Sequence, residues 1–159
     1  MSRRAAPIAS NTIRLREYQP RDFEALCELD RICFSPAIAY SRAEMRVYLN
    51  APGADCVVAE NDEGIVGFCI TARGKTKAYV VTIDVLEAAR KQGIGSALIA
   101  DAEKRLAAKG VREVALDTAT DNVSAIAFWQ KHGYRKFGIR KGYYPDGRDA
   151  FAMTKPIAR

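Results

Sequence analysis

The sequence predicts an α/β (α+β) fold: one mixed, mostly antiparallel sheet of about seven strands with about four flanking helices. Three observations predict it. Runs of strand length with alternating or β-rich character occur at 12–18 and through "DCVVAENDEGIVGFCITARGKTKAYVVTIDVL". The apolar period then changes from two to 3.6 at Gly93. Finally, "YRKFGIRKGYYPDGRDAFAMTKPI" reads as a closing hairpin turned at Pro145-Asp146-Gly147.

Taken in order, "TIRLREY" places Ile13 and Leu15 on one face of a half-buried strand. A helix follows in "PRDFEALCELDRICF": Pro20 stands at its start, Asp22 and Glu24 in its first turn, and Phe23, Leu26, Leu29 and Ile32 along one expected apolar face. "SPAIAY" breaks it. Ser41 caps a second short helix, "SRAEMRVYLN", with Glu44 at the capping-box position and Asn50-Ala51-Pro52-Gly53 as the stop. Turns at Asn61–Gly64 and near Gly74–Thr76 divide the next stretch into a three-stranded antiparallel meander. From Gly93, residues Ile94, Ala97, Leu98, Ala102 and Leu106 share a helical face that Gly110 ends. "VREVALDTAT" is the next strand, and "DNVSAIAFWQKHGY" a short helix stopped by Gly133, with His132 expected to be exposed and inert. The order is β-α-α-β-β-β-α-β-α-β-β, read as a single domain over 12–156 behind a flexible segment at 1–11.

Composition bounds the function. The 159 residues, 48% apolar and 28% charged, suit one soluble domain. The sequence has no signal-peptide pattern and no run of about 18 apolar residues, so a cytoplasmic protein without membrane attachment is expected. Cys27, Cys33, Cys56 and Cys69 form no C-x-x-C pair and read as buried, reduced thiols. With a single histidine, neither a zinc site nor a Ser-His-Asp triad has material, and no metal is expected. The net charge of +6 favours anionic ligands, but the cations are dispersed and no aromatic-interleaved basic stripe points to nucleic acid.

The informative stretch is "RKQGIGSALI". A strand feeding a helix through it leaves several N–H groups without partners, at the positive end of the helix dipole. Gly93 and Gly95 let an anion approach the backbone, and Arg90 and Lys91 add charge. A Walker A loop is excluded because Gly95 is followed by Ser96-Ala97, and the dinucleotide fingerprint because Leu98 stands where a third small residue is needed. Glycines serving packing alone are the alternative.

"VTIDVLEAARKQGIGSALI" resembles the acetyl-coenzyme A motif of the Gcn5-related N-acetyltransferase (GNAT) superfamily, with its Q/R-x-x-G-x-G/A at a helix start. "DTATDNVSAIAFWQKHGY" resembles the family's second block, Asn-x-x-Ala-x-x-φ-aromatic-x-x-x-Gly-φ. The resemblance covers about residues 12–156 and implies the GNAT fold, its sheet splayed between strands four and five. It implies that acetyl-coenzyme A is the cofactor, its pyrophosphate received along Arg90, Lys91, Gln92, Gly93, Ile94, Gly95 and Ser96. Pantetheine would pair with the strand edge at Ile83, Asp84 and Val85. Asn122 would hydrogen-bond the pantetheine arm, or cap its helix, or both. Trp129 falls in the cofactor slot where much of the family has a tyrosine.

Within the family the chain resembles the N-terminal protein acetyltransferases, including the ribosomal-protein-alanine enzymes. That likeness implies a protein or peptide N-terminus as acceptor, held by Phe34 and Tyr40 in the first interhelical loop and by Tyr143 and Tyr144 in the final hairpin. It gives Tyr79 and Asp117 the catalytic roles and a strand-four N–H near Val85 the oxyanion. Each residue also has a plainer structural reading. An α-amine, with a pKa of about 7.7–8.0, is partly neutral at neutral pH, whereas a lysine at about 10.4 is almost wholly charged, so weak base help suffices only for the first. A small-molecule amine acetyltransferase and a catalytically disabled coenzyme A-binding module remain the alternatives. A monomer or homodimer is expected.

Overall fold

The computed structural model describes residues 12–158, so the segment 1–11 lies outside the described residues. Seven strands form one sheet in the order β1-β2-β3-β4-β5-β7-β6. In chain order the elements are β1 (Arg14–Glu17), α1 (Phe23–Cys33), α2 (Arg42–Asn50), β2 (Ala54–Asn61), β3 (Gly64–Arg73), β4 (Lys77–Val85), α3 (Ile94–Ala108), β5 (Glu113–Ala119), α4 (Val123–Lys131), β6 (Arg135–Arg140) and β7 (Ala150–Pro156). All neighbours pair antiparallel except β4 and β5, which are parallel. Among the described residues, no helix is long and apolar enough to cross a membrane.

Local chemistry accounts for the helix limits. The Ser41 hydroxyl accepts from the Glu44 N–H, and the Glu44 carboxylate accepts in return from the Ser41 N–H, closing the capping box. At the end of α3 the Val111 N–H reaches back to the Leu106 carbonyl, the wrap that a glycine after the helix allows. Asn122 caps α4 by accepting from the Ala125 N–H.

The two faces of the sheet are covered separately. One cluster joins Val57, Cys69, Ala78 and Val80 of the sheet to Leu98, Ala102 and Leu106 of α3 and to Trp129 of α4. The other joins Val58, Phe68 and Ile70 to Phe23, Leu26 and Leu29 of α1 and Met45 of α2. Ile32, expected on the buried face of α1, is 60% exposed. It lies off the face of the last turn that Asp30 and Cys33 present to β4, where Cys33 reaches the Val85 carbonyl. Cys27, Cys56 and Cys69 are buried free thiols, and Cys33 is half-buried. β6 forms the outer edge with every residue exposed, Phe137 and Ile139 included, and its ladder with β7 is broken by a bulge between Lys136 and Gly138.

A β-bulge in β4 decides which side chains meet. Ile70 pairs with Thr82 but Thr71 pairs with Val80, so Val81 is the extra residue. Before the bulge, Ala78 and Val80 face the α3 cluster; after it, Ile83 and Val85 do. Tyr79, Val81, Thr82 and Asp84 are thereby turned toward α1 and α2. Strict alternation would have put Tyr79 and Asp84 on opposite faces.

Arg16 anchors β1 to the first turn. Its guanidinium donates to both oxygens of buried Asp22, at 2.8 and 2.9 Å, and to Glu60 at 3.2 Å. Arg16 holds the Asp22 carboxyl below the usual carboxylate range. A depressed carboxyl pKa stabilises the fold above the unfolded value of about 3.9, and that stabilisation is lost as pH falls through the folded value. Asp22→Asn should therefore lower stability near neutrality by about 1–3 kcal/mol. The gap between variant and wild type should narrow below about pH 4, as read by urea unfolding across pH.

Candidate active site

The site begins where β4 and β5 part. They pair only at Lys77↔Glu113, Ala78↔Val114 and Tyr79↔Ala115, although β4 runs on to Val85 and β5 to Ala119. Among the described residues, the edge of β4 has no strand beside it beyond Tyr79. Its outward carbonyls are met by side chains instead: Val81 accepts from the Tyr40 hydroxyl at 3.2 Å, and Val85 from Arg90 Nε at 3.0 Å and Cys33 Sγ at 3.5 Å. A strand residue's N–H and C=O point the same way, so Ile83 also faces the gap.

α3 starts at the far end of this gap. Among the described residues, the N–H groups from Lys91 to Ser96 find no backbone acceptor; the first helical turn is closed by Ala97 donating to Gly93 at 2.9 Å. Gly93 sits at the N-cap with φ of 78°, and a Cβ added there would meet nothing within 4 Å, so the space above it is open. Lys91 also adopts positive φ, 64°. Gly95 differs, since an added Cβ would lie 3.2 Å from the Phe128 ring. Its missing side chain serves the contact between α3 and α4 as well as any ligand. Gln92 reaches back to the Ala88 carbonyl at 3.4 Å, and buried Ile94 holds the turn to the core. The cradle therefore offers free main-chain donors with exposed cations beside them, which fits a pyrophosphate.

Ser96 is bonded to His132 at 2.9 Å, and the imidazole leans on the Phe128 ring with centroids 4.6 Å apart. His132 is thus half-buried and engaged, a correction to its expected inert exposure. Burial, with Lys131 nearby, holds its pKa below the ordinary value, so the ring is neutral at pH 7.

At the mouth of the gap, Tyr79 donates to Asp117 Oδ2 at 2.5 Å, and its oxygen lies 3.2 Å from the Tyr143 hydroxyl. The other Asp117 oxygen accepts from Arg140 Nε at 2.8 Å, and the Asp117 side chain is only 4% exposed. Burial, reinforced by bonds to Asp117 and Tyr143, pushes the Tyr79 phenol far above its usual range, so it stays protonated. The Tyr143 and Tyr144 rings meet edge to face at 5.0 Å, and burial pushes Tyr144 up to about 12. Arg140 could not be found from spacing, because its approach to Asp117 depends on how β6 lies beside β7.

Two predicted positions are less open than expected. Tyr40 lies against Tyr48 with ring centroids 4.7 Å apart, its hydroxyl spent on β4, so it braces the loop. Phe34, half-buried, ends α1. Trp129 is 5% exposed and packs edge to face on Phe128 and Tyr134, at 5.0 and 5.1 Å, as a core side chain.

The profile of the acetyltransferase (GNAT) family matches residues 23–134. The chain belongs to the GNAT family. A ribosomal-protein-alanine N-acetyltransferase of Escherichia coli is 33% identical over 122 residues, covering 67% of this chain and 82% of that one. An N-alpha-acetyltransferase of Saccharolobus solfataricus is 37% identical over 82 residues, 51% of this chain; the chain spans about half of that relative, 49% of its length. Among solved structures, Ard1 from Thermoplasma volcanium superposes with a TM-score of 0.82 at 26% identity, covering 92% of this chain and 99% of that one. Arabidopsis thaliana NAA60 in complex with acetyl-CoA shares the fold with a TM-score of 0.81 at 23% identity, covering 92% and 99%. The GNAT sheet, including its parting between the fourth and fifth strands, is the one found here.

Because Phe128 occupies the space a Gly95 side chain would need, Gly95→Val should cost about 1–3 kcal/mol of stability through overpacking, measurable as a lowered urea midpoint. Gly93→Asn, which tolerates positive φ, should leave that midpoint nearly unchanged.

Proposed function

We propose that this protein is an acetyltransferase, a single catalytic domain over 12–156 that moves acetyl from acetyl-coenzyme A to the α-amine of a protein or peptide N-terminus. The observation that carries the reading is the parted sheet, with unpaired N–H donors at one end of the gap and a hydroxyl–carboxylate cluster at the other. Acetyl-coenzyme A supplies the acetyl group as a thioester.

The chain's own residues divide the work. The N–H groups of Gln92, Gly93, Ile94, Gly95 and Ser96 take the pyrophosphate, with Arg90 and Lys91 supplying charge. The free edge at Ile83, Asp84 and Val85 takes the amide arm as an added strand, and an N–H on that edge holds the oxyanion. Asn122, already a helix cap, presents its remaining amide group near that arm. Trp129 forms the floor behind it and, with an indole N–H only, is no proton donor to a departing thiolate. A thiol with a pKa of about 8–9 leaves without acid help.

Tyr79 and Asp117 are the catalytic pair. Since the phenol proton is committed to Asp117, the Tyr143 hydroxyl is the donor between the two tyrosines, and the one lone pair left on the Tyr79 oxygen accepts an N–H of the incoming amine and aims the nitrogen lone pair at the carbonyl. Asp117 has both oxygens engaged, which makes it an orienting group for Tyr79 more than a free base; the amine proton passes to water. That suffices for an α-amine, whose pKa of about 8 leaves a useful neutral fraction. Phe34 and the Tyr40-braced loop form one wall of the acceptor slot, Tyr143 and Tyr144 the other. The two relatives act on alanine of a ribosomal protein and on α-amines by their names, and this supports a terminal amine as acceptor.

The test is coenzyme A release with short peptides that vary the first two residues, against free lysine and small amines. Peptides with a free α-amine should turn over, and blocked termini with internal lysines should not. Tyr79→Phe should lower kcat at least tenfold, while Trp129→Tyr changes it by less than about tenfold. Equal modification of internal lysines would overturn the acceptor assignment, and no thiol release with any amine would overturn catalysis.

A further inference from the structure

Asp30 of α1 and Asp84 of β4 are 0% and 1% exposed and lie within hydrogen-bonding reach of each other. Their other partners are few. Asp84 Oδ1 accepts from the Thr82 hydroxyl at 2.6 Å, and Asp30 Oδ2 accepts from the Tyr40 N–H at 2.7 Å. Among the described residues, Asp30 Oδ1 and Asp84 Oδ2 accept no hydrogen bond. A buried carboxylate oxygen without a donor is costly, and two adjacent carboxylates cannot both be ionised there. One proton between the two donorless oxygens satisfies both at once. No lysine or arginine makes an ion pair with either group among the described residues.

We infer that Asp84 keeps its proton at neutral pH and donates it to Asp30, and that this shared proton pins the loop between α1 and α2 to β4. The loop is tied to the pair through the Tyr40 N–H and to the strand through the Tyr40 hydroxyl on Val81. The bulge at Val81 brings Asp84 to the face where Asp30 lies. The charged and titratable groups around the pair are Cys33 and Cys27 from α1, Tyr40 from the loop, Cys56 and Cys69 from the sheet, and Arg90 at the strand end. The thiols and the phenol are all pushed up by burial and stay neutral, and Arg90 is exposed with its Nε on Val85. Burial and the neighbouring Asp30 raise Asp84 well above the carboxylate range, in keeping with the shared proton. The two aspartates are positioning residues; that the loop they hold is an acceptor wall rests on the function proposed above.

The sign follows from linkage. A carboxyl whose folded pKa is raised binds its proton more tightly in the folded state, so folding loses stability as pH rises from about 4 toward the folded value. Asp84→Asn keeps a neutral donor for Asp30 and removes that loss. The ratio of wild-type to Asp84→Asn unfolding constants should therefore rise by up to tenfold per pH unit above about pH 4. In protein labelled with 13C at the aspartate carboxyls, one resonance should remain in its protonated position at pH 7 and vanish in both Asp30→Asn and Asp84→Asn. Hydrogen exchange at the Tyr40 amide should accelerate at least tenfold in Asp84→Ala and be restored by Asp84→Asn, which a merely space-filling role would not produce. The wild-type spectrum decides even if a variant fails to fold: all aspartate carboxyls ionised by about pH 6, or a pH-independent ratio of unfolding constants, overturns the proposal. These readouts need no turnover, so their failure is distinct from failure of the coenzyme A release assay.

Discussion

Two parallel strands that hydrogen-bond for three residue pairs and then diverge impose the constraint on which the remaining structure turns. Once β4 leaves β5, the main-chain groups along its outer edge must be satisfied by something other than a sheet. The chain answers with side chains: Tyr40, Arg90 and Cys33 each reach a β4 carbonyl. Such donors can rotate away, as a neighbouring strand cannot, and so the edge stays available for pairing. The same divergence carries the start of α3 and its unpaired N–H groups to the open end. Where the strands still touch, Tyr79 and Asp117 bond side chain to side chain across the last pair, closing the mouth.

The buried carboxylates show how selectively charge is allowed inside. Asp22 faces Arg16, Asp117 faces Arg140, and Glu103 faces both Lys155 and the Tyr134 hydroxyl. In each case a cation beside the anion offsets its desolvation. Asp30 and Asp84 break this pattern and sit against the strand segment whose opposite edge is exposed.

Much of this was legible in the sequence, and the reasons are local. Ser41 and Glu44 announce their helix because a capping box involves only residues three apart. Gly93 announces the anion cradle because positive φ at a helix start favours glycine. The two family blocks carry the parting of the strands, since each brackets one side of it. What stayed hidden depends on contacts distant in sequence. The bulge at Val81 leaves "AYVVTIDV" looking like an ordinary strand, so the meeting of Asp84 with Asp30 cannot be read from it. Arg140 meets Asp117 only because β7 lies between β5 and β6. Gly95 looks like a second cradle glycine, although half its reason is the ring of Phe128, some thirty residues later.

The outer strand β6 carries a different consequence. An edge strand showing Phe137 and Ile139 to water would ordinarily invite a second copy to pair with it and begin an aggregate. Here Arg135, Lys136 and Arg140 lie on the same short strand, so an antiparallel copy would bring cations against cations. The bulge between Lys136 and Gly138 interrupts the ladder at the apolar Phe137, and Lys136 folds inward over the Phe151 ring at 4.0 Å. Repulsion and broken register thus oppose the pairing of a second copy along this edge, although two apolar side chains are exposed on it.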